Sequence, residues 1–256
     1  MSLIKSNMTA PPPASGGSLS SISEMNSLRF DGSSYLCRDM TGTAKVKWSF
    51  SFWLKRSVLS KTGYEPVVGD GYANHDALIA FDATDKLIFL DKQYSGGTGR
   101  TNLSKTNSIY RDTSSFYHIV TVFDSTQSSV SDGLKIYVNG GLTSRTTGAD
   151  SWPRQSLGWF LGAMYLGRAS SHYFSGYLAN IHFIDGQALD HNSFGETISD
   201  VWVPKQYGSG DPSNASQVLA EYGTNGFHLD FAASNMDFTN NKVLDASGRG
   251  NDWTLN

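Results

Sequence analysis

Seven side chains of the sequence are suited to contacting a ligand, and all lie in segments rich in Gly or polar residues. Trp and Tyr stack on sugar rings through their apolar faces, and the same residues anchor protein–protein interfaces. His and Asn add hydrogen-bond donors and acceptors beside them. The pattern therefore predicts a binding surface and leaves both uses open. The seven candidates are Tyr72, Asn74, His75, Trp152, Trp159, His172 and Tyr173.

Several patterns that catalytic and cofactor sites require are missing from the sequence. It has no Ser/His/Asp triad spacing, no pair of cysteines and no phosphate-binding loop. Residues 96–99 hold three glycines, but no strand-to-helix context follows them, so they indicate a flexible loop. His182 shares a predicted strand face with Asn180. A polar face of this kind either binds sugar or contacts solvent or a second subunit.

Strand patterns supply the framework that must position these side chains. Residues 48–54 alternate with a period of two, which predicts a strand that is buried on one face. The dipeptide Asn139-Gly140 predicts a tight hairpin turn. No segment shows a sustained helical period, so little helix is expected. Further strands are predicted at residues 28–32, 77–81, 86–90, 116–123 and 134–138.

Composition divides the chain into three parts. Residues 1–26 are rich in Ser, Pro and Gly and predict an extended N-terminal arm, since they cannot supply a core. Residues 27–195 carry the strand patterns and predict a β-sandwich. Residues 196–256 predict a C-terminal extension, partly β, that packs on the sandwich or on a partner. Loops are predicted at residues 60–76, 91–110, 143–160 and 168–175.

Charge, hydropathy and cysteine content indicate which partners and which cellular compartment to expect. A net charge of -3 gives no electrostatic footprint for nucleic acid. No apolar run approaches the ~20 residues that cross a bilayer, so no membrane insertion is expected. The first residues lack the apolar region of a secretory signal, and the lone Cys37 cannot form an internal disulfide. These features predict synthesis and assembly in a reducing cytosol.

Four segments, taken in order, resemble laminin-G-like and pentraxin-like domains. They are Leu28–Gly32, Phe50–Leu54, Phe116–Asp124 with the Val138-Asn-Gly140 hairpin, and Met164–Leu189. The last of these combines a strand ending in Leu-Gly-Arg, a polar loop and a long aromatic strand closed by Asp185-Gly186. The resemblance implies a concanavalin A-like (laminin-G-like) jelly-roll β-sandwich, an all-β fold. It also implies that His118, which matches a family position, is a hydrogen-bonded structural residue.

A narrower resemblance covers about residues 164–253 and points to bacteriophage tail-fibre and capsid-associated proteins, many from marine phages. It rests on Tyr165-Leu-Gly-Arg168, Gly176-Tyr-Leu-Ala179, Val201–Lys205 and Ser247–Trp253. Fibre-like members run on well past the last motif, whereas this chain stops three residues later. That difference favours a compact component of the particle surface, either capsid decoration or tail-associated.

The same resemblance bears on catalysis and on metals. Glycoside hydrolases of this fold need two carboxylates, commonly two or four residues apart on one strand face, and no such pattern occurs here. Relatives often hold Ca²⁺ at the loop rim through carboxylate, amide and carbonyl oxygens. Asp70, Asp76 and Asp82 are the metal candidates this implies. No spacing links them, and solvated turn acids are the simpler interpretation.

These inferences combine into one expectation. The protein is expected to be a non-enzymatic virion component, assembled in the host cytoplasm, that contacts host surface glycans through its loops. Its arm would bind other virion proteins, and it would form a homo-oligomer. The alternatives are a receptor-binding tail-fibre tip and a glycan depolymerase.

Overall fold

The computed structural model describes residues 3–5, 25–42, 46–70, 75–93, 100–149, 162–208 and 213–256. Within these ranges the chain forms two large antiparallel sheets that pack face to face. Elements are numbered in chain order.

Sheet A centres on the long strand β16 (Ser175–Asp185), which pairs with β2 (Asn26–Asp31), β4 (Lys47–Arg56) and β19 (Phe227–Leu229). The pairing of β16 with β4 is interrupted between Ala179 and His182 by a bulge. The strands of this sheet, in spatial order, are β1 (Leu3–Lys5), β2 (Asn26–Asp31), β16 (Ser175–Asp185), β4 (Lys47–Arg56), β9 (Tyr117–Asp124), β10 (Leu134–Val138) and β11 (Gly141–Leu142), with β19 (Phe227–Leu229) beside β16.

Sheet B includes strands from the last residues of the chain. Trp253 is fully buried and packs against Phe227 of sheet A at 4.9 Å. The strands, in spatial order, are β12 (Arg145–Ala149), β8 (Arg100–Thr106), β7 (Leu87–Gln93), β6 (His75–Asp82), β5 (Tyr64–Asp70), β13 (Ala163–Leu166), β3 (Leu36–Asp39), β22 (Trp253–Leu255), β21 (Lys242–Val243) and β20 (Met236–Asp237).

Smaller elements complete the described part of the chain. Two short hairpins lie outside the large sheets: β14 (Arg168–Ala169) with β15 (His172–Tyr173), and β17 (Gly195–Ile198) with β18 (Val201–Pro204). The helices are α1 (Val130–Gly133), α2 (Ala215–Tyr222) and two 3₁₀ turns, His191–Ser193 and Ala233–Asn235. None of these helices has the length and apolar character needed to cross a membrane.

The core between the sheets is built from alternate residues of the strands. On β4 the inward residues are Trp48, Phe50, Phe52 and Leu54, all fully buried. Trp48 stacks on Phe123 at 5.3 Å, and aromatic pairs of this kind add to the free energy that burial provides. The alternation of apolar residues along β4 therefore fixes which face of this strand packs against sheet B.

The predicted strands are present, but two sequence predictions are wrong. The outward residues Ser49, Ser51 and Trp53 of β4 are at most 2% exposed, so this strand is buried on both faces. The second face is covered by residues distant in the sequence, which a local pattern does not reveal. All four predicted loops, 60–76, 91–110, 143–160 and 168–175, also contain strands. These are β5, β8, β12, β14 and β15, together with the start of β6, the end of β7 and the first residue of β16. Polar, Gly-rich composition concealed them because these strands hold few outward apolar residues.

The turn predicted at Asn139-Gly140 is confirmed. Both residues have positive φ (48° and 79°), as a primed hairpin turn between β10 and β11 requires. The division of the chain at residues 26 and 195 stays a prediction. Of the arm, the structure describes Met25, Asn26 and the segment Leu3–Lys5, which pairs with β2 at the edge of sheet A.

Candidate functional site

Three crossovers between the sheets meet at one end of the sandwich, which we call the loop end. Residues 32–35, 57–63 and 167–174 each carry the chain from one sheet to the other. The register places them together, since Ser175 pairs with Asp31, Gly176 with Arg56, and Leu166 with Leu36. Loops held by a rigid sandwich are a common place for binding residues.

Three tyrosines surround one arginine on the outer side of sheet B at the loop end. The Cζ atom of Arg168 lies 4.6 Å from the ring centroid of Tyr35, 5.2 Å from Tyr165 and 5.8 Å from Tyr173. Tyr35 meets Tyr165 edge to face at 5.7 Å. All four side chains are half-buried, so each presents part of its surface to solvent. We call this group the tyrosine patch.

A second pair of side chains extends the tyrosine patch. Tyr64, which is 37% exposed, lies 6.3 Å from the ring of His172. Lys61 donates a hydrogen bond of 2.6 Å from Nζ to the carbonyl oxygen of Tyr173. The predicted contact residues His172 and Tyr173 therefore lie among further aromatic and cationic side chains.

Two glycines let the β14–β15 hairpin lie directly on its neighbours. A Cβ atom on Gly69 of β5 would be 2.3 Å from the carbonyl oxygen of Arg168 and 2.8 Å from Cβ of Ala169. A Cβ atom on Gly63 would be 2.6 Å from Nε2 of His172, and Gly63 also has a positive φ of 81°. A larger residue at Gly69 would push the hairpin outward, and one at Gly63 would displace the ring of His172.

A buried charge network holds the loop beneath the patch. Arg56 donates to Oε2 of Glu65 at 2.8 Å and forms an ion pair with Oδ1 of Asp85 at 3.0 Å. Asp85 in turn accepts from the backbone N–H of Ser60 at 2.6 Å. Burial raises the pKa of Asp85, but hydrogen bonds from Arg111 and Ser60 outweigh it and hold this pKa below its usual range. Removing one member would leave an uncompensated buried charge, so the network fixes residues 57–63.

The three predicted metal candidates do not come together. Asp82 and Asp76 lie near opposite ends of β6, six residues apart, which is about 20 Å along a strand. Asp70 is the last residue of β5 and lies beside the end of β6 that carries Asp76. Oδ1 of Asp82 accepts from the N–H groups of Thr84 and Lys86 at 2.8 and 3.1 Å, and its other oxygen pairs with Lys105. In the described ranges no three His, Cys, Asp or Glu side chains are placed to hold a metal ion.

Several predicted contact residues lie outside the described residues: Tyr72, Asn74, Trp152 and Trp159. For His75 and Asp76 the structure describes the backbone of β6 alone. Sequence reasoning missed Tyr35, Tyr165 and Arg168. The alternation of residues 163–166 was the available signal, since Met164 and Leu166 are buried and Tyr165 between them faces outward.

A second aromatic cluster is built around His118 and His182 on the outer side of sheet A. We call it the histidine cluster. His118 stacks on Trp53 at 4.6 Å and bonds with Oγ of Ser51 at 2.8 Å. Nε1 of Trp202 donates to Nδ1 of His118 at 2.8 Å, so the proton of this imidazole sits on Nε2. His118 is 1% exposed and is hydrogen-bonded on both sides, as the sequence predicted. Burial lowers its pKa to about 3, and His191 adds to this.

His182 belongs to the same cluster. Its ring stacks on that of His228 at 4.0 Å, and Oδ1 of Asn180 lies 3.1 and 2.8 Å from Nε2 of the two rings. The hydroxyl of Tyr222 on α2 lies 3.3 Å from Nδ1 of His182. Burial lowers the pKa of His182 well below its usual value, with His228 adding to the effect. The prediction that this face meets solvent, sugar or a subunit is wrong, because α2 covers it.

A family model agrees with this architecture. The model for laminin G domains of the concanavalin A-like lectin/glucanases superfamily matches residues 30–192, which is more than half of the chain. The chain therefore belongs to this superfamily, and the predicted jelly-roll sandwich is confirmed. No curated protein matches the sequence.

Solved structures with similar folds come from unrelated sources. A heptameric pentraxin from Limulus polyphemus is 13% identical, with a TM-score of 0.45 over 64% of this chain and 77% of that one. Domain 4 of the arabinanase AbnA from Geobacillus stearothermophilus, in complex with arabinotriose, is 14% identical (TM-score 0.40, 64% and 68%). Tailspike protein 2 of an Escherichia coli O157:H7 bacteriophage is 13% identical (TM-score 0.40, 67% and 22%). At these levels none of the three indicates what this chain binds.

Proposed function

We propose that the tyrosine patch binds carbohydrate and that the protein is a non-enzymatic surface component of a bacteriophage particle that adheres to host glycans. The observation that carries the proposal is the grouping of Tyr35, Tyr165 and Tyr173 around Arg168 at the loop end.

The chemistry of the patch suits a sugar. A pyranose ring has an apolar face, which aromatic side chains cover, and a rim of hydroxyls, which need hydrogen-bond partners. Within the described residues, no hydrogen bond engages the hydroxyl of Tyr35, Tyr165 or Tyr173. These groups are free to bond a ligand, so the patch combines a stacking surface with polar groups that fix orientation.

The carboxylates of the loop end support binding without hydrolysis. Cleavage of a glycosidic bond needs two carboxyl groups flanking the substrate. Glu65 and Asp85 are at most 1% exposed and paired with Arg56. Oδ1 of Asp31 accepts from both the N–H and the hydroxyl of Ser33 and of Ser34, at 2.7–2.9 Å. The hydrogen bonds and ion pairs of these three carboxylates hold the fold, which supports binding rather than cleavage.

The placement on a phage particle rests on the resemblance of residues 164–253 to virion proteins. A particle-bound module gains from weak sites in many copies, because multivalency converts modest affinities into strong attachment. In this proposal the N-terminal arm binds neighbouring virion proteins, the protein oligomerises, and assembly takes place in the host cytoplasm.

The proposal is tested with an array of bacterial surface polysaccharides and oligosaccharides, combined with a reducing-end assay on the same samples. We expect binding to at least one glycan without release of reducing ends, and labelling of intact particles by an antibody to the protein. The variant Tyr35→Ala/Tyr173→Ala should lose binding, whereas the half-buried Tyr177 of β16, in sheet A, supplies the matched control Tyr177→Ala.

Three outcomes would overturn the proposal. Release of reducing ends would make the protein a depolymerase. Labelling confined to a fibre tip would make it a receptor-binding tip, and a complete absence of glycan binding would leave a decoration role alone.

A further inference from the structure

We infer that the tyrosine patch selects acidic glycans, and that Arg168 is the residue that recognises the carboxylate of the sugar. This inference rests on the proposed function and specifies the ligand class of the same site.

One hydrogen bond fixes the orientation of Arg168. Its Nε donates to the carbonyl oxygen of Ser170 at 3.0 Å, within the turn of the β14–β15 hairpin. The guanidinium then rests over the ring of Tyr35 at 4.6 Å. A planar guanidinium that is held in place loses little conformational freedom when it forms further bonds.

The two terminal nitrogens of Arg168 remain available. In the described part of the chain no hydrogen bond engages Nη1 or Nη2, and no carboxylate forms an ion pair with this arginine. Neither nitrogen is among the buried atoms that lack a partner, so both face solvent. Nη1 and Nη2 are the pair of donors that bind the two oxygens of a carboxylate side by side.

The charges around the patch favour an anion. Lys61 adds a second cation beside Tyr173. Asp31 at the end of β2 and Glu65 near the start of β5 are hydrogen-bonded to Ser33, Ser34 and Arg56. Asp39 on β3 is exposed, but no ion pair joins it to Arg168 among the described residues.

The tyrosine rings strengthen the selection. They displace water from one face of the guanidinium, so a bound carboxylate competes with less hydration than it would at an exposed arginine. A neutral sugar would use the rings alone and gain nothing from the charge. We therefore expect the same oligosaccharide to bind more tightly with its carboxylate than without it.

The test compares hexuronic-acid and sialic-acid oligosaccharides with their carboxyl-reduced forms, by calorimetry on the full chain. For the acidic glycan that wild type binds, we expect at least a tenfold tighter dissociation constant than for its reduced form, and a decline of this preference with salt. Arg168→Gln should abolish the preference, so that the acidic and the reduced forms bind with equal affinity. Arg168→Lys should restore part of the preference, since it keeps the charge and loses the two-donor geometry.

The control is Arg29→Gln, because Arg29 is an exposed arginine on β2, in sheet A. Thermal unfolding of each variant separates a loss of recognition from a loss of fold. Equal binding of acidic and reduced forms by wild type, or a preference that survives Arg168→Gln, would overturn the inference while the proposed function stands. Equal binding of sulfated and carboxylated glycans would overturn the assignment to carboxylates. Failure of every glycan to bind would instead refute the proposed function.

Discussion

The tyrosine patch and the histidine cluster use similar residues, yet one is open and the other closed. Both lie on outer sides of the sandwich and combine aromatic rings with nitrogen-bearing side chains. Around Arg168 the rings are half-buried and their hydroxyls are free. Both ring nitrogens of His118 are hydrogen-bonded, and this imidazole is 1% exposed.

The difference comes from what covers each sheet. Residues after β16 return across sheet A: Oγ of Ser49 donates to the carbonyl oxygen of Gln187 at 2.9 Å, and Trp202 and Tyr222 then seal His118 and His182. On sheet B the short β14–β15 hairpin covers Gly69 and leaves Tyr165 beside it open. Residue type alone does not separate a binding surface from a core; the covering segment does.

The largest expected effect is a loss of stability in acid, caused by the histidine cluster. Between pH 7 and pH 5 the free energy of unfolding is expected to fall by about 4 kcal/mol from His118 and His182 together. Both imidazoles have lowered pKa values in the folded protein, so the unfolded chain binds more protons below its ordinary histidine pKa near 6.5. Stability is therefore full above that pH and is lost as the pH falls.

Urea unfolding at several pH values, followed by Trp fluorescence, measures this. The variant His118→Gln should show a shallower pH dependence, because one of the titrating groups is gone. Equal stability of the wild type at pH 7 and pH 5 would show that the histidines are not buried as described.

Removing Trp202, which covers His118, should lower the free energy of unfolding and leave the affinity for glycan unchanged. Trp202→Ala is expected to lower the free energy of unfolding by about 3 kcal/mol, because it removes a packed ring and the donor to Nδ1 of His118. Trp202→Phe, which keeps most of the ring, should cost about 1–2 kcal/mol through the unpaired nitrogen. Urea unfolding and the glycan assay are measured in parallel. Loss of glycan affinity in a folded Trp202→Ala protein would contradict the separation of the two clusters.

Displacing the β14–β15 hairpin should lower both the stability of the protein and its affinity for glycan. Gly69→Ala forces the hairpin off β5 and is expected to cost about 2 kcal/mol by overpacking. The same change should weaken glycan binding at least tenfold, because Arg168 and Tyr173 move with the hairpin. Gly148→Ala on β12 is the matched control, since a Cβ atom there would meet nothing within 4 Å. Unchanged affinity in Gly69→Ala would show that the hairpin does not shape the site.

Much of the fold was predictable because its signals are local. The alternation along β4, the Asn139-Gly140 turn and the order of the family segments depend on neighbours in sequence. The burial of Ser51 and Trp53 was not predictable, because their cover comes from Trp202 and its neighbours, about 150 residues further along the chain.

The candidate site was also predictable only in part. His172 and Tyr173 could be found, since they lie in a polar segment within the closing part of the family pattern. Tyr35 and Tyr165 could not be assigned to the same surface, because they join Arg168 through the pairing of β13 with β3.

By itself the sequence determined the two faces of most strands, the tight turns and the superfamily, because side-chain period and turn chemistry act over a few residues. The tertiary structure alone decided which polar and aromatic side chains became a sealed cluster and which stayed open. That choice depends on where distant segments cross the outer sides of the sheets, and the loss of water from a side chain is set by the whole fold rather than by its neighbours in the chain.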